Sequence, residues 1–145
     1  MFIGIAVLLA SCAVIGQGYH NLGITTGGLV KGQFRVQLVE CVGNASSQNV
    51  TAVLAITNTG PNSYQFIGGS LDGTVAIDSY GSTSKPYGSA GVQCDLPSGV
   101  VVRVEVPRLE PVRPGTPMFQ SLRVSIGSGK DNIVNFRNVP IIWSN

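Results

Sequence analysis

The stretch Phe34-Arg35-Val36-Gln37-Leu38-Val39-Glu40-Cys41 decides the fold. Its side chains alternate in character, the period-two signature of a half-buried β-strand. Strict alternation puts Phe34, Val36, Leu38 and Glu40 on one face and Arg35, Gln37, Val39 and Cys41 on the other. Downstream, Asn44 to Gln48 form a polar turn, and Asn49 to Thr57 read as a second strand rich in β-branched residues. Asn58-Thr59-Gly60-Pro61-Asn62 stops that strand with turn-forming residues.

The same alternation of strand and turn continues to the end of the chain. Tyr64 to Ile67, Thr74 to Asp78, Val100 to Val106, Phe119 to Ile126 and Ile133 to Trp143 all read as strands. The valines of Val100 to Val106 suit burial on one or both faces, and Pro107 ends that strand or places it at an edge. Ser79 to Gly91 reads as a long polar loop, and Glu110 to Gly115 as a connection. No segment carries a sustained apolar period near 3.6, so no substantial helix is expected. About seven short strands separated by turn signals predict an all-β, antiparallel sandwich.

Composition agrees with one small exported domain. Only 11% of the 145 residues are charged while 43% are hydrophobic. That balance rules out a charge-driven disordered chain. The formal net charge is +2 without a basic cluster, so no nucleic-acid partner is expected.

Met1 to Ile15 (MFIGIAVLLASCAVI) carries no charge. The run is too short to span a bilayer as a helix but fits the apolar region of a signal peptide. It closes on Leu9-Ala10-Ser11-Cys12, which resembles the lipobox of bacterial lipoproteins: Leu, two small residues, then the Cys that takes the lipid. No Lys or Arg precedes the run, a departure from ordinary signal peptides. The resemblance implies a signal peptide over residues 1–11, a lipidated Cys12, and a membrane-anchored protein on the periplasmic or outer side of a bacterial envelope. The Gly-rich residues 12–32 then read as the lipidated Cys and a flexible tether, with a short strand near Ile24. Residues 33–145 form the sandwich domain. With Cys12 carrying lipid, Cys41 and Cys94 remain. In an oxidising compartment they form either a disulfide or two separate buried thiols.

Several short segments resemble bacterial extracytoplasmic immunoglobulin-like domains, often borne by small lipoproteins. They are Val53-Leu54-Ala55-Ile56-Thr57-Asn58-Thr59-Gly60, Ile77-Asp78-Ser79-Tyr80-Gly81 and Val112-Arg113-Pro114-Gly115-Thr116. The resemblance implies an immunoglobulin-like sandwich and carries no catalytic residues.

Catalytic chemistry finds little footing in these residues. The single His, His20, falls in the tether, where it cannot be positioned as a triad member. No Cys/His grouping has zinc-ligand spacing, and Asp72-Gly73-Thr74 and Asp131-Asn132 lack the ligand alternation of a calcium loop. Neither a metal nor a cofactor is expected. Carboxylate pairs such as Glu40 and Glu105 on adjacent strands could approach as a glycosidase would need, but nothing in the sequence requires it. Such residues more often face solvent on strands, paired with Arg. The remaining clue is aromatic. Tyr80 and Tyr87 flank Lys85 in the polar segment; either their rings fold back over the core, or with Tyr64 they form a candidate recognition surface for an envelope protein or glycan. The expected function is therefore a non-catalytic binding or accessory lipoprotein. The alternatives are a structural subunit of a fimbrial or adhesin assembly and a small envelope hydrolase.

Overall fold

The computed structural model describes residues 12–14, 29–30, 32–129 and 132–144. Residues 1–11, most of the tether with His20 and Ile24, and Asp131 lie outside the described residues. The described chain is all-β. Its strands are β1 (Cys12–Val14), β2 (Leu29–Val30), β3 (Phe34–Asn44), β4 (Asn49–Asn58), β5 (Ser63–Ile67), β6 (Val75–Asp78), β7 (Thr83–Pro86), β8 (Val92–Leu96), β9 (Val101–Glu110), β10 (Met118–Ser125) and β11 (Ile133–Ser144). One 3-10 turn, Ser70–Asp72, lies between β5 and β6. Among the described residues no helix is long and apolar enough to cross a membrane.

The all-β expectation holds, while the strand order makes the main sheet a closed barrel rather than a clear sandwich. Strands run β9-β4-β3-β11-β10-β6-β7, and β7 returns to pair with β9, so the main sheet closes into a seven-stranded barrel. Two details of the sequence explain the closure. The segment Ser79 to Gly91, read as a loop, contains β7, which supplies the closing strand. Pro107 does not end β9, which continues to Glu110 and so reaches β7. The sheet is also not wholly antiparallel, because β11 pairs with β3 in parallel through Ile141↔Cys41 to Ser144↔Asn44. Closure removes most free edges, which would otherwise offer unpaired backbone groups to other chains.

The interior is filled by side chains. Phe34, Leu54, Phe119, Leu122 and Phe136 are each fully buried. Burying one such side chain stabilises the fold by about 2 kcal/mol relative to exposing it. β5 and β8 form a separate antiparallel ribbon that adds Ile67, Val92, Cys94 and Leu96 to the same core. Asn58 ties this ribbon to the barrel from a fully buried position. Its Nδ2 donates to the Leu96 and Pro61 carbonyls at 2.6 and 2.8 Å, and its Oδ1 accepts from Gln33 Nε2 and the Gly60 N–H at 3.0 and 2.9 Å. The Asn58-Thr59-Gly60 turn thus works as a hydrogen-bonded joint as well as a strand stop.

The face assignment of the opening stretch holds only as far as Leu38. β3 pairs Leu38 with Leu54 but Glu40 with Val53, so Val39 is a bulge residue. Two residues on β3 then oppose one on β4, and the alternation shifts by one position. Glu40 therefore turns toward the outer face, while Cys41 joins the core.

Candidate functional site

β9 pairs with β4, β1 and β7, and its two edges differ. One edge pairs with β4 along most of its length. The other pairs with β1 through Val102, Arg103 and Val104 and with β7 through Leu109 and Glu110. Between these partners, no described strand pairs with Glu105 to Pro107 on this edge. They form a seam that is open among the described residues and closed at Arg108, whose carbonyl accepts the Tyr87 N–H. The β4 register also shifts here, with Ala52 opposite Val106 and Val50 opposite Leu109, so Pro107 and Arg108 span a bulge. Proline suits this place because it has no N–H to leave unpaired.

A groove of about 490 Å³ opens at the seam. That volume lies within the range of small-ligand sites. Pro86, Val92, Val106 and Pro107 give it an apolar lining, and Tyr87, Gln93 and Arg108 supply its polar tips. Tyr87 is 68% exposed, so its ring is not folded over the core. Its backbone N–H donates to the Arg108 carbonyl at 3.1 Å, and the Arg108 guanidinium lies 3.9 Å from its ring centroid. A cation–π contact of this kind contributes about 0.5–1 kcal/mol at an exposed site. Arg108 reaches this position with φ 58, in the left-handed region that costs a non-glycine residue about 1 kcal/mol or more. Its Nε lies 3.7 Å from Glu110 Oε1. At the far end of the groove, Tyr64 donates its hydroxyl proton to Gln93 Oε1 at 2.9 Å.

The structure separates the expected trio. Tyr80 and Tyr87 lie before and after β7, and Lys85 is exposed on the strand between them. Tyr80 is 58% exposed and stacks with Arg113, 4.7 Å from ring centroid to guanidinium. Its turn is fixed by buried Asp78, whose Oδ1 accepts the N–H groups of Tyr80 and Ser82. A smaller hollow of about 280 Å³ lies by this turn, lined in part by Asp78, Ser82 and Arg113. Tyr87 and Gln93 therefore belong to the groove, whereas Tyr80 does not. Arg108 and Gln93 were missed from sequence alone. For Gln93 a signal existed, since Val92, Cys94 and Leu96 alternate with polar residues and mark β8.

The cysteines pair differently from the expectation. Cys94 forms a disulfide with Cys12, and Cys41 is a buried free thiol. Topology explains the correction. Cys41 sits on β3 between β4 and β11, whereas Cys94 sits on β8, which meets β9 and β1. Burial pushes the Cys41 thiol up to about 12, with the Glu40 carboxylate adding to the shift. A thiol held neutral in this way is a poor nucleophile.

The carboxylates are dispersed. Glu40 and Glu105 are not neighbours, because Val53 of β4 stands between them in register. Two strand spacings separate them by about 10 Å, wider than the pair of a retaining glycosidase. Glu105 is instead paired with Arg103. Asp72 accepts the Gly129 N–H at 3.0 Å. Among the described residues, no three His, Cys, Asp or Glu side chains cluster as metal ligands would.

Compared with protein-family models, curated proteins and solved structures, the chain matches none.

Proposed function

We propose that this chain is a non-catalytic binding or accessory lipoprotein of the bacterial envelope, and that the seam groove is its recognition site. The observation that carries the reading is Tyr87, a largely exposed ring beside an apolar groove, braced by a strained Arg108. Strained backbone persists where the surroundings hold it for a purpose, and a rigid tyrosine gives amphipathic contact area at low entropic cost. The groove's side chains are aliphatic, aromatic, amide and guanidinium, a set suited to recognition. Export is supported by the uncharged apolar run and Leu9-Ala10-Ser11-Cys12. The immunoglobulin-like relationship belongs to the same proposal. It is supported by the short segments Val53 to Gly60, Ile77 to Gly81 and Val112 to Thr116.

Site-specific photo-cross-linking in intact envelopes tests this reading. A photoreactive residue at Tyr87 should yield a discrete adduct, and the same group at exposed Ile142 on β11 should not. Gly88→Leu should suppress the adduct by filling the groove, since an added Cβ at Gly88 meets nothing within 4 Å. Equal labelling from both positions, or an adduct indifferent to Gly88→Leu, defeats the proposal.

A further inference from the structure

We infer that Cys12 has two competing covalent fates, a lipid thioether or the disulfide to Cys94, and that the disulfide form is the unlipidated one. This inference rests on the lipoprotein reading above. One sulfur cannot hold both bonds. Lipidation joins the Cys12 thiolate to the glyceryl carbon of a phospholipid and displaces its phosphate headgroup. Disulfide formation removes two protons and two electrons from Cys12 and Cys94, and a disulfide-bearing thiol oxidant of the envelope takes them up. Both reactions draw on the same thiolate.

The surroundings make the choice structural as well as chemical. Cys12, Ala13 and Val14 pair in register with Val104, Arg103 and Val102 of β9. Cys12 packs partly buried against the core, and its partner Cys94 is 1% exposed. The Cys12 sulfur therefore faces the interior from a docked strand. A diacylglyceryl group on it has no room beside Cys94, so the lipidated chain must lift β1 from β9. Lifting β1 uncovers the edge at Val102 to Val104 and joins it to the seam at Glu105 to Pro107, which no described strand pairs on that edge. Lipidation would thereby lengthen the groove already assigned to recognition.

The test uses the full chain in a bacterium that processes lipoproteins. Free thiols are blocked in the cells, membrane and soluble fractions are separated, and the Cys12 peptide is weighed with and without reduction. Lipidated Cys12 should appear only in molecules whose Cys94 is a free thiol, and unlipidated Cys12 should be joined to Cys94. Cys94→Ser removes the competing partner and should raise the lipidated share at the expense of the unlipidated one. Cys41→Ser should leave that share unchanged, because Cys41 is not bonded to either residue. Wild-type protein made without the envelope thiol oxidant should shift in the same direction as Cys94→Ser, which guards against a folding defect in that variant. Unlipidated molecules with both thiols free, or a lipidated share indifferent to Cys94→Ser, overturn the inference and leave the lipoprotein reading standing. Lipid absent from Cys12 in every fraction and variant overturns both.

Discussion

The two edges of β9 face opposite conditions. On the β4 side, a near-continuous ladder from Val101 to Leu109 locks the strand into the wall of the barrel. On the other side, among the described residues, β1 and β7 pair only with its two ends. The wall buries Phe136, Leu54 and Cys41, while the seam exposes Tyr87 and strains Arg108. The same strand therefore serves stability along one edge and accessibility along the other. Loops commonly carry recognition on a rigid scaffold; the site proposed here lies instead on an interrupted strand edge.

Four measurements can break or sharpen this contrast. The largest effect is expected in the wall. Phe136→Ala removes a fully buried ring and should lower unfolding stability by about 3–5 kcal/mol in a denaturant titration. A loss below about 1 kcal/mol would mean that the wall is no better packed than the seam.

Next comes alkaline pH. Burial pushes the Cys41 thiol up to about 12 in the folded chain, against 9.0 for an ordinary free thiol. Above that ordinary value the unfolded chain releases a proton that the folded chain retains, which favours unfolding. Its contribution is thus fully present below pH 9 and declines up to about pH 12, by at most about 1.4 kcal/mol per pH unit. Stability curves of wild type and Cys41→Ala should diverge only within that window, and parallel curves would contradict a buried neutral thiol.

The seam should respond more weakly. Ser84 Oγ donates to the Pro111 carbonyl at 2.7 Å and holds β7 against the segment that follows β9. Ser84→Ala should cost about 1 kcal/mol and speed amide exchange in β7 more than in β4. Exchange that rises equally in both strands would show that the seam does not open on its own. The smallest effect on stability belongs to Arg108→Gly. Relief of the left-handed backbone should offset the lost contact with Tyr87, leaving a net change within about 0.5 kcal/mol. The photo-cross-linked adduct at Tyr87 should weaken nonetheless. A large loss of stability would assign Arg108 to the framework instead.

The wall was legible in the sequence and the seam was not, for a physical reason. β3, β4, β10 and β11 are long, and one face of each is committed to the core, so hydrophobic alternation marks them. β7 is Thr-Ser-Lys-Pro, which buries only Ser84 and Pro86, and its strand character comes from its partners β6 and β9. Local pattern holds no record of such tertiary pairing. The bond from Cys94 to Cys12 is not legible in the sequence for a related reason: β1 lies in an apolar run that resembles a targeting signal, so its docking on β9 has no local mark. Tyr87 was readable as an exposed aromatic, but its brace, Arg108, depends on a bulge that the Val100 to Val106 alternation does not announce.

The bulge at Val39 has a consequence for how this chain tolerates change in length. Deletion of Val39 would place Leu38, Glu40 and Cys41 in uninterrupted alternation, with Leu38 and Cys41 still inward. Loss of any single residue between Phe34 and Leu38 would instead carry part of the strand's apolar set across the sheet. Within β3 the chain therefore holds one surplus residue at one known address. In a lineage of such proteins, that address is where a one-residue gap can arise without rebuilding the core.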